Sequence, residues 1–365
     1  MQKNYLSSKQ AICTMILFVL GTSALISVNI DAEQDTWIAM IVSCAMSIPV
    51  ILVYARVLSL FPEKNFYDIV EILIGKAGSK LIVLLITWYA IHLGAFVMSN
   101  FHLFISIVDL PNTPHFMILV PLLILAIYLA KSGLSTFGNW SIINLIIVSI
   151  VVIITAIACL KTADFSQLLP VFDHSISEIC MSSYKIFTFP LAETVVFMSI
   201  LGSVKSGTSP YRIYISGILL GTIILLLTIL RNNISLGTQM LSSACFPSYT
   251  STRVMSIGSF LTRIEGSISI NFLLAGITKF TVCIFAASNG LAKLFGIKNP
   301  KMLIIPTCLL MLSVCCTSYT GIIEMFAFLN DSYYIYAIPF QLIIPLGIWI
   351  VAEIRTHRGK IQLKE

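Results

Sequence analysis

Long apolar runs of about twenty residues dominate the chain, and short polar turns separate them. An apolar helix of this length matches the thickness of a bilayer core. Ten such runs lie near residues 9–30, 36–59, 79–108, 115–131, 139–160, 180–203, 209–230, 266–291, 300–318 and 332–353. The pattern therefore predicts an all-α integral membrane protein with ten transmembrane helices, in a single polytopic domain over residues 1–365.

The connections between the runs carry structural signals of their own. Residues 65–73 place apolar side chains at 66, 69, 70 and 73, a spacing that predicts a short amphipathic helix at the membrane surface. Two prolines within residues 110–114 predict a rigid turn. The longest connection, residues 231–265, is expected to carry short helices, because long bare loops are uncommon. Asp35 directly precedes the second run and is expected to cap that helix.

Composition agrees with the apolar pattern and excludes several classes of protein. The chain is 58% hydrophobic and only 10% charged, with a mean hydropathy of +0.96, whereas soluble domains are about a quarter charged. The net charge of +6 therefore does not indicate a nucleic-acid partner. The nine cysteines form no CxxC pair and mostly lie inside apolar runs, where they are expected to pack. No cofactor or metal site is expected.

The distribution of basic residues predicts the orientation. Of the 22 Lys and Arg residues, 16 lie on the side that holds both termini, five lie on the opposite side, and Lys279 lies inside the eighth run. Cytoplasmic loops of membrane proteins are enriched in Lys and Arg. Both termini are therefore predicted to be cytoplasmic.

Two of the runs are interrupted near their centres. The first contains Gly21-Thr22-Ser23, and the sixth contains Pro190 followed by Glu193. Small or hydroxylated residues and proline at bilayer depth are typical of helices that unwind and offer backbone groups to a ligand. For the first run an alternative stays open, because glycine and threonine also serve as close-packing residues in ordinary membrane helices.

The two interruptions occupy corresponding places in two halves of five runs. We therefore predict a 5+5 inverted repeat, with a first repeat near 9–160, a second near 180–353, a cytoplasmic tail at 354–365, and broken helices 1 and 6 around a midplane binding site. The candidate binding residues are Gly21, Thr22, Ser23, Ala24, Tyr89, His92, Phe187, Thr188, Phe189, Pro190, Glu193 and Asn271. The alternative for Glu193 is an ion pair with Lys279 that holds the bundle together.

Several motifs occur in a specific order along nearly the whole chain. They are Gly21-Thr22-Ser23, Asp35-Thr36-Trp37, Phe61-Pro62 with Gly75-Lys76, Leu110-Pro111-Asn112-Thr113-Pro114, Phe189-Pro190-Leu191-Ala192-Glu193, Thr262-Arg263-Ile264-Glu265 and a basic tail. This series resembles the B-subunit family of bacterial spore germinant receptors (the GerB type), part of the amino acid–polyamine–organocation transporter superfamily with its LeuT/APC-like fold. The chain departs from the family at Ala192, where members often have glycine.

The resemblance implies a nutrient-sensing subunit in the inner membrane of a dormant spore. It would bind a small solute such as an amino acid, a nucleoside or a sugar. Its partners would be a receptor A subunit and a lipoprotein C subunit, in contact with membrane lipid and without nucleic acid. Binding would trigger ion release and begin germination.

Of two other functions, one is compatible with the sequence and the other is not expected. A proton-coupled amino-acid permease, with Glu193 as the coupling group, is the main alternative, since fold does not settle function. An enzyme is not expected. The chain contains no paired carboxylates on one helix face, no His/Glu metal spacing and no glycine-rich phosphate loop.

Overall fold

The chain folds into a bundle of α-helices in the computed structural model, which describes residues 5–26, 32–108, 110–161, 163–204, 207–254 and 265–357. Fourteen α-helices lie in this part of the chain. They are α1 (Ser8–Leu20), α2 (Thr36–Leu60), α3 (Phe66–Ile74), α4 (Lys76–Val108), α5 (His115–Ser132), α6 (Leu134–Cys159), α7 (Ile176–Ile186), α8 (Pro210–Ser243), α9 (Pro247–Val254), α10 (Glu265–Phe295), α11 (Ile304–Ser318), α12 (Ile322–Ala327), α13 (Tyr333–Ile338) and α14 (Ile344–His357).

Eight helical segments of the described residues are long and apolar enough to cross a membrane. They coincide with eight of the ten predicted runs. The other two, the first and the sixth, are the runs predicted to break, and their helices α1 and α7 contain only 13 and 11 residues. The all-helical membrane architecture is thereby confirmed, while ten crossings and a 5+5 repeat stay predictions.

The first break follows α1 directly. A capping box between Ser7 and Gln10 starts this helix, which ends at Leu20, and residues 21–26 form irregular turns. A Cβ on Gly21 would lie 2.5 Å from Cδ of Lys279, so glycine is needed for close approach as well as for the break. Both interpretations of this stretch therefore describe part of its structure.

The second break lies in the sixth run. After α7 the chain makes a π-helical turn over Phe187–Leu191, in which Phe189 is extended (φ −136°, ψ 108°), and a 3₁₀ segment follows over Ala192–Ser199. Pro190 causes this geometry, because it lacks an N–H and disfavours the helical conformation at the preceding residue. The structure thus interrupts this run at the predicted place.

The core lies around α10, which packs against α4, α1 and α6. Most side chains along the centre of α10 are buried, whereas α5, α6 and α11 expose many apolar side chains on their outer faces. Such exposure suits helices that face lipid, because lipid tails are as apolar as the side chains themselves. The helices that carry the interruptions therefore meet in the interior, away from lipid.

The seventh run differs from the prediction. Instead of ending near residue 230, α8 continues to Ser243 through a kink at Gly237 (φ +66°). Arg231 is therefore a buried helical residue and does not lie in an outer loop, as its place in the longest predicted connection suggested. The same connection does carry a short helix, α9, as predicted.

Two smaller predictions have different outcomes. The amphipathic helix forms as α3, and Asn65 caps it through a hydrogen bond from the Asp68 N–H. The expected cap by Asp35 is wrong: its carboxylate accepts hydrogen bonds from the N–H groups of Phe172 (3.0 Å) and His174 (3.3 Å). Asp35 thus ties the start of α2 to the loop before α7.

Residues 262–264 of the Arg-x-Glu motif and the tail after residue 357 lie outside the described residues.

Candidate functional site

A buried ion pair joins the second break to α10. Oε2 of Glu193 lies 2.5 Å from Nζ of Lys279, and both side chains are fully buried. The sequence left this pairing open as the alternative role of Glu193. Because a single charge at bilayer depth is costly, each residue of the pair makes the other tolerable.

A chain of hydrogen bonds extends from this pair across the bundle. The hydroxyl of Tyr333 donates to Oε1 of Glu193 (2.5 Å), and the hydroxyls of Tyr333 and Tyr89 lie 3.0 Å apart. Nε2 of Gln341 donates to the Tyr89 hydroxyl and to the carbonyl of Thr188, both at 2.8 Å. We call Glu193, Lys279, Tyr333, Tyr89 and Gln341 the ion-pair core. It links the second break to α4, α10 and the last membrane segment.

Aromatic rings seal the ion-pair core. The Lys279 ammonium lies 4.7 Å from the ring centre of Phe189 and 5.2 Å from that of Phe18. Cation–π attraction of this kind adds to the ion pair in a fully buried site. The two charges of the core are thus paired with each other and lie against aromatic rings, while Oε1 of Gln341 is the buried polar atom of the core without a partner among the described residues.

A pocket lies on the other side of the two breaks, and we call it the outer pocket. It has about 500 Å³ of empty space, including the part open to solvent. Both breaks contribute to its wall, together with α2, α8 and α9. The lining residues are Ser23, Ala24, Ile26, Thr36, Met40, Ile186, Pro190, Leu225, Thr228, Ile229, Asn232, Asn233, Leu241 and Ser248.

The first break supplies polar groups at this pocket. Ser23 lines the pocket, and its backbone N–H donates no hydrogen bond to another described residue. The neighbouring Thr22 is fully buried, and its N–H and hydroxyl also have no partner among the described residues. The Ala24 carbonyl accepts a hydrogen bond from Ser248 (2.5 Å). Unwound backbone next to a cavity in a membrane protein is the arrangement that binds polar solutes.

A polar cluster on α8 and α9 holds the opposite wall of the outer pocket. Nδ2 of Asn232 donates to Ser248 (3.1 Å), and Ser251 donates to Oδ1 of Asn232 (3.0 Å). Asn233 donates to the carbonyl of Gln34 (3.3 Å). These bonds fix α9 and the start of the second run against α8.

A second, smaller cavity adjoins the outer pocket, and we call it the side pocket. It has about 270 Å³ of empty space, including the part open to solvent, and shares Ala24 and Thr228 with the outer pocket. Its wall comes from the first break, α6, α8 and α10. The lining residues are Ala24, Leu25, Val152, Thr228, Arg231, Ile268, Asn271 and Phe272.

The structure places the predicted site residues in several different regions. Ser23, Ala24 and Pro190 line the outer pocket, and Ala24 and Asn271 line the side pocket. The residues in or against the ion-pair core are Gly21, Tyr89, Thr188, Phe189 and Glu193. Thr22 is fully buried next to Gly21 and Ser23 and lines neither pocket.

Two predicted residues lie apart from both pockets. His92 packs in an aromatic cluster with Phe328 and Tyr336. Phe187 stacks on Tyr184. The roles of all twelve residues in ligand binding stay predictions.

Several polar residues of the two regions were not predicted. Gln341 lies in an apolar run, where an uncharged amide is a weak but readable signal. Asn232 and Asn233 were missed because the seventh run was predicted to end before them. Thr228 has no distinguishing feature in the sequence. Within the described ranges no group of three or more His, Cys, Asp or Glu side chains could hold a metal ion.

Solved structures show that this fold is the fold of known transporters. The chain resembles Mhp1, a nucleobase–cation symport-1 family transporter, in a closed conformation with bromovinylhydantoin bound. The TM-score is 0.70 at 11% identity, covering 99% of this chain and 81% of that one. It also resembles a Na⁺-coupled sialic acid symporter in its substrate-bound outward-open state. Here the TM-score is 0.69 at 12% identity, covering 95% of this chain and 80% of the symporter.

Sequence comparison identifies the family. The spore germination protein KB of Bacillus subtilis (strain 168) is 25% identical, over 98% of this chain and 97% of that protein. The putative spore germination protein YfkT of the same organism is 25% identical over 76% of each chain. The model of a family described as spore germination protein matches residues 5–320. The chain therefore belongs to this spore germination protein family, as its order of motifs indicated.

Proposed function

We propose that this protein is the nutrient-sensing subunit of a spore germination receptor and that it binds a small solute in the outer pocket. The observation that carries the proposal is that both broken helices line one pocket, through Ser23 and Ala24 on one side and Ile186 and Pro190 on the other. Family membership supports the biological setting. The transporter fold supports a solute as the ligand.

The proposed setting includes the finer parts of the sequence prediction. The chain would cross the spore inner membrane ten times as a 5+5 inverted repeat, with both termini in the cytoplasm. It would act with an A subunit and a lipoprotein C subunit. The charge distribution and the positions of the two breaks support this arrangement.

The geometry connects the outer pocket to the ion-pair core. Pro190 lines the outer pocket, and Phe189 packs edge-on against Tyr333 at a centroid distance of 5.7 Å. Glu193 follows three residues later and binds both Tyr333 and Lys279. A solute that moves the second break would therefore shift the ion-pair core. The shift can be no larger than the preference of the solute for one state.

The roles we propose for the predicted residues follow this division. Ser23, Ala24 and Pro190 would contact the solute, with the N–H group of Ser23 as a donor. Glu193, with its partners in the ion-pair core, would transmit the change. We assign no contact to His92 or Phe187.

One hydroxyl of the outer pocket provides a selective test. Thr228 donates only within its own helix, to the carbonyl of Ile224 (3.0 Å), so Thr228→Val removes a polar group without breaking a bond between helices. We expect binding of the cognate nutrient to weaken about 2- to 10-fold, as for one neutral hydrogen bond. Purified full-length protein would be titrated with amino acids, nucleosides and sugars. The cognate nutrient would be identified beforehand as the one to which spores lacking this chain no longer respond by germinating.

A matched substitution on the same helix separates binding from general damage. Thr222 is equally buried on α8 but does not line the outer pocket, so Thr222→Val should leave binding unchanged. Equal binding by both variants and the unmodified protein would contradict the outer pocket as the site.

A proton-coupled amino-acid permease is the alternative function, and the ion-pair core favours it. A buried carboxylate beside a lysine and a tyrosine can exchange a proton between conformations. Reconstituted vesicles distinguish the two functions. Accumulation driven by a pH gradient would favour the permease, whereas saturable binding without flux supports the receptor.

A further inference from the structure

Arg231 is a buried charge that lines the side pocket. It is 3% exposed, on α8. Its Nη1 donates to the Thr155 hydroxyl (2.9 Å), and its Nε and Nη2 donate to Oδ1 of Asn232 (3.3 and 2.9 Å). No Asp or Glu of the described residues lies within ion-pair distance of Arg231.

The guanidinium has donors to spare. It carries five N–H groups, and three hydrogen bonds leave one N–H on each Nη without an acceptor among the described residues. Two such groups match the two oxygens of a carboxylate. Among the described residues the other buried cation is Lys279, whose carboxylate partner is Glu193. An anion in the side pocket would give Arg231 the partner that it lacks.

Asn271 supplies a second, independent observation in the same cavity. It lies on α10, is 8% exposed and lines the side pocket. Its Nδ2 donates to the carbonyl of Val148 (3.3 Å), while its Oδ1 has no hydrogen-bond partner among the described residues. A buried acceptor without a partner is unfavourable unless a donor arrives.

We propose that Arg231 and Asn271 form a subsite for a small carboxylate that also carries a hydrogen-bond donor such as an ammonium group. Arg231 binds the carboxylate, and Asn271 accepts from the donor. This inference rests on the proposed function and deepens it, because Ala24 and Thr228 belong to both pockets and connect the subsite to the outer pocket. A neutral sugar or nucleoside would leave the charge of Arg231 unpaired.

A purely structural role for Arg231 makes a different prediction. The bond to Thr155 joins α8 to α6, so loss of Arg231 could loosen the bundle without changing which solutes bind. Selectivity between matched solutes therefore provides the decisive measurement.

The test uses purified full-length protein and matched probes. Binding is measured by equilibrium dialysis for the L-amino acids, their amides, the corresponding deaminated acids, glucose and inosine. We expect an amino acid to bind and its amide to bind at least 10-fold more weakly. Arg231→Gln should weaken binding of the amino acid roughly 10- to 100-fold and abolish the discrimination between the acid and its amide. Arg231→Lys keeps the positive charge but loses the pair of parallel N–H groups. Its affinity for the amino acid should therefore lie between those of the unmodified protein and Arg231→Gln.

A second variant keeps the proposal testable if Arg231→Gln does not fold. Asn271→Leu should weaken binding of the amino acid several-fold while leaving binding of the deaminated acid unchanged. The ammonium contact exists only in the amino-acid complex, whereas the Asn271–Val148 bond is lost whichever solute is present. Thr222→Val serves as the control and should match the unmodified protein in both measurements.

The outcomes distinguish this inference from the proposed function. Binding of glucose or inosine that survives Arg231→Gln would overturn the carboxylate subsite and leave the sensing role intact. Amino-acid binding with unchanged affinity in Arg231→Gln would also overturn the subsite. Binding of none of the probes by the unmodified protein would overturn the proposed function and the subsite together.

Discussion

The ion-pair core and the outer pocket lie on either side of the same two helix breaks, yet they treat polar groups in opposite ways. In the core, Glu193 and Lys279 are fully buried and bonded to each other, and Tyr333 saturates the second carboxylate oxygen. At the pocket, the backbone N–H of Ser23 has no acceptor among the described residues.

The contrast suggests that the two regions have different roles. In the ion-pair core, a ligand that bound Glu193 or Lys279 would have to break a bond that these residues already make to each other. An unsaturated pocket gains from a ligand that completes its hydrogen bonds. We therefore expect the solute to bind at the pocket, and the core to act as the element whose arrangement changes.

The largest effect should follow from breaking the ion pair. Lys279→Met leaves Glu193 as a lone carboxylate in the interior, which costs about 3–5 kcal/mol when one partner of a buried pair is removed. The free energy of unfolding in detergent micelles, measured by chemical denaturation, should fall by this amount.

The double variant Glu193→Gln/Lys279→Met provides the control for this prediction. It removes both charges and keeps an acceptor for Tyr333, so it should recover most of the lost stability. If the losses in Lys279→Met and in the single variant Glu193→Gln simply add up in the double variant, the pair is not energetically coupled.

A smaller effect should follow at Gly21, where the two regions meet. A Cβ at this position would lie 2.5 Å from Cδ of Lys279 and 2.8 Å from the carbonyl oxygen of Phe18. Gly21→Ala should therefore lower the free energy of unfolding by about 1–3 kcal/mol, the usual range for overpacking. The measurement is again chemical denaturation.

Gly347→Ala is the matched control, because a Cβ at this position in α14 would meet nothing within 4 Å. It should not destabilise the protein, since alanine is the better helix former. If Gly21→Ala also leaves stability unchanged, Lys279 does not pack against the first break as described.

The same two breaks show which features could be predicted from the sequence. Pro190 and Glu193 are local signals: proline removes a backbone donor, and a carboxyl group inside an apolar run must find a partner or a cavity. Both are readable without tertiary structure. The length of the apolar runs likewise predicts the membrane helices.

The two pockets could not be predicted in the same way. Arg231 and Asn232 lie beyond the apolar part of the seventh run, and hydropathy gives no sign that α8 continues through them. Tertiary contacts with α6 and α9 keep this polar end helical and buried. The position of Gln341 against Thr188 likewise depends on how distant helices pack, which periodicity does not specify.

The smallest effect concerns an ion pair of similar chemistry at the surface. Lys293, on α10, contacts Glu71 and lies 2.7 Å from Asp68, and both carboxylates belong to α3. These side chains are about one-third exposed, at 29% for Lys293, 36% for Asp68 and 32% for Glu71. Exposed pairs contribute only about 0.2–1 kcal/mol, so Lys293→Met should cost no more than this.

The pH dependence identifies the cause of that small loss. The hydrogen bond and the charge of Lys293 lower the pKa of Glu71 below its ordinary value of 4.5. A lowered carboxyl pKa adds stability above pH 4.5, and this stability disappears as the pH falls through the lowered pKa. The stability difference between the unmodified protein and Lys293→Met should therefore shrink on acidification below pH 4.5.

Lys298→Met, which removes an exposed lysine with no ion pair to a described residue, should show no such difference. A loss at Lys293 as large as that at Lys279 would mean that burial does not set the cost of breaking a pair in this protein.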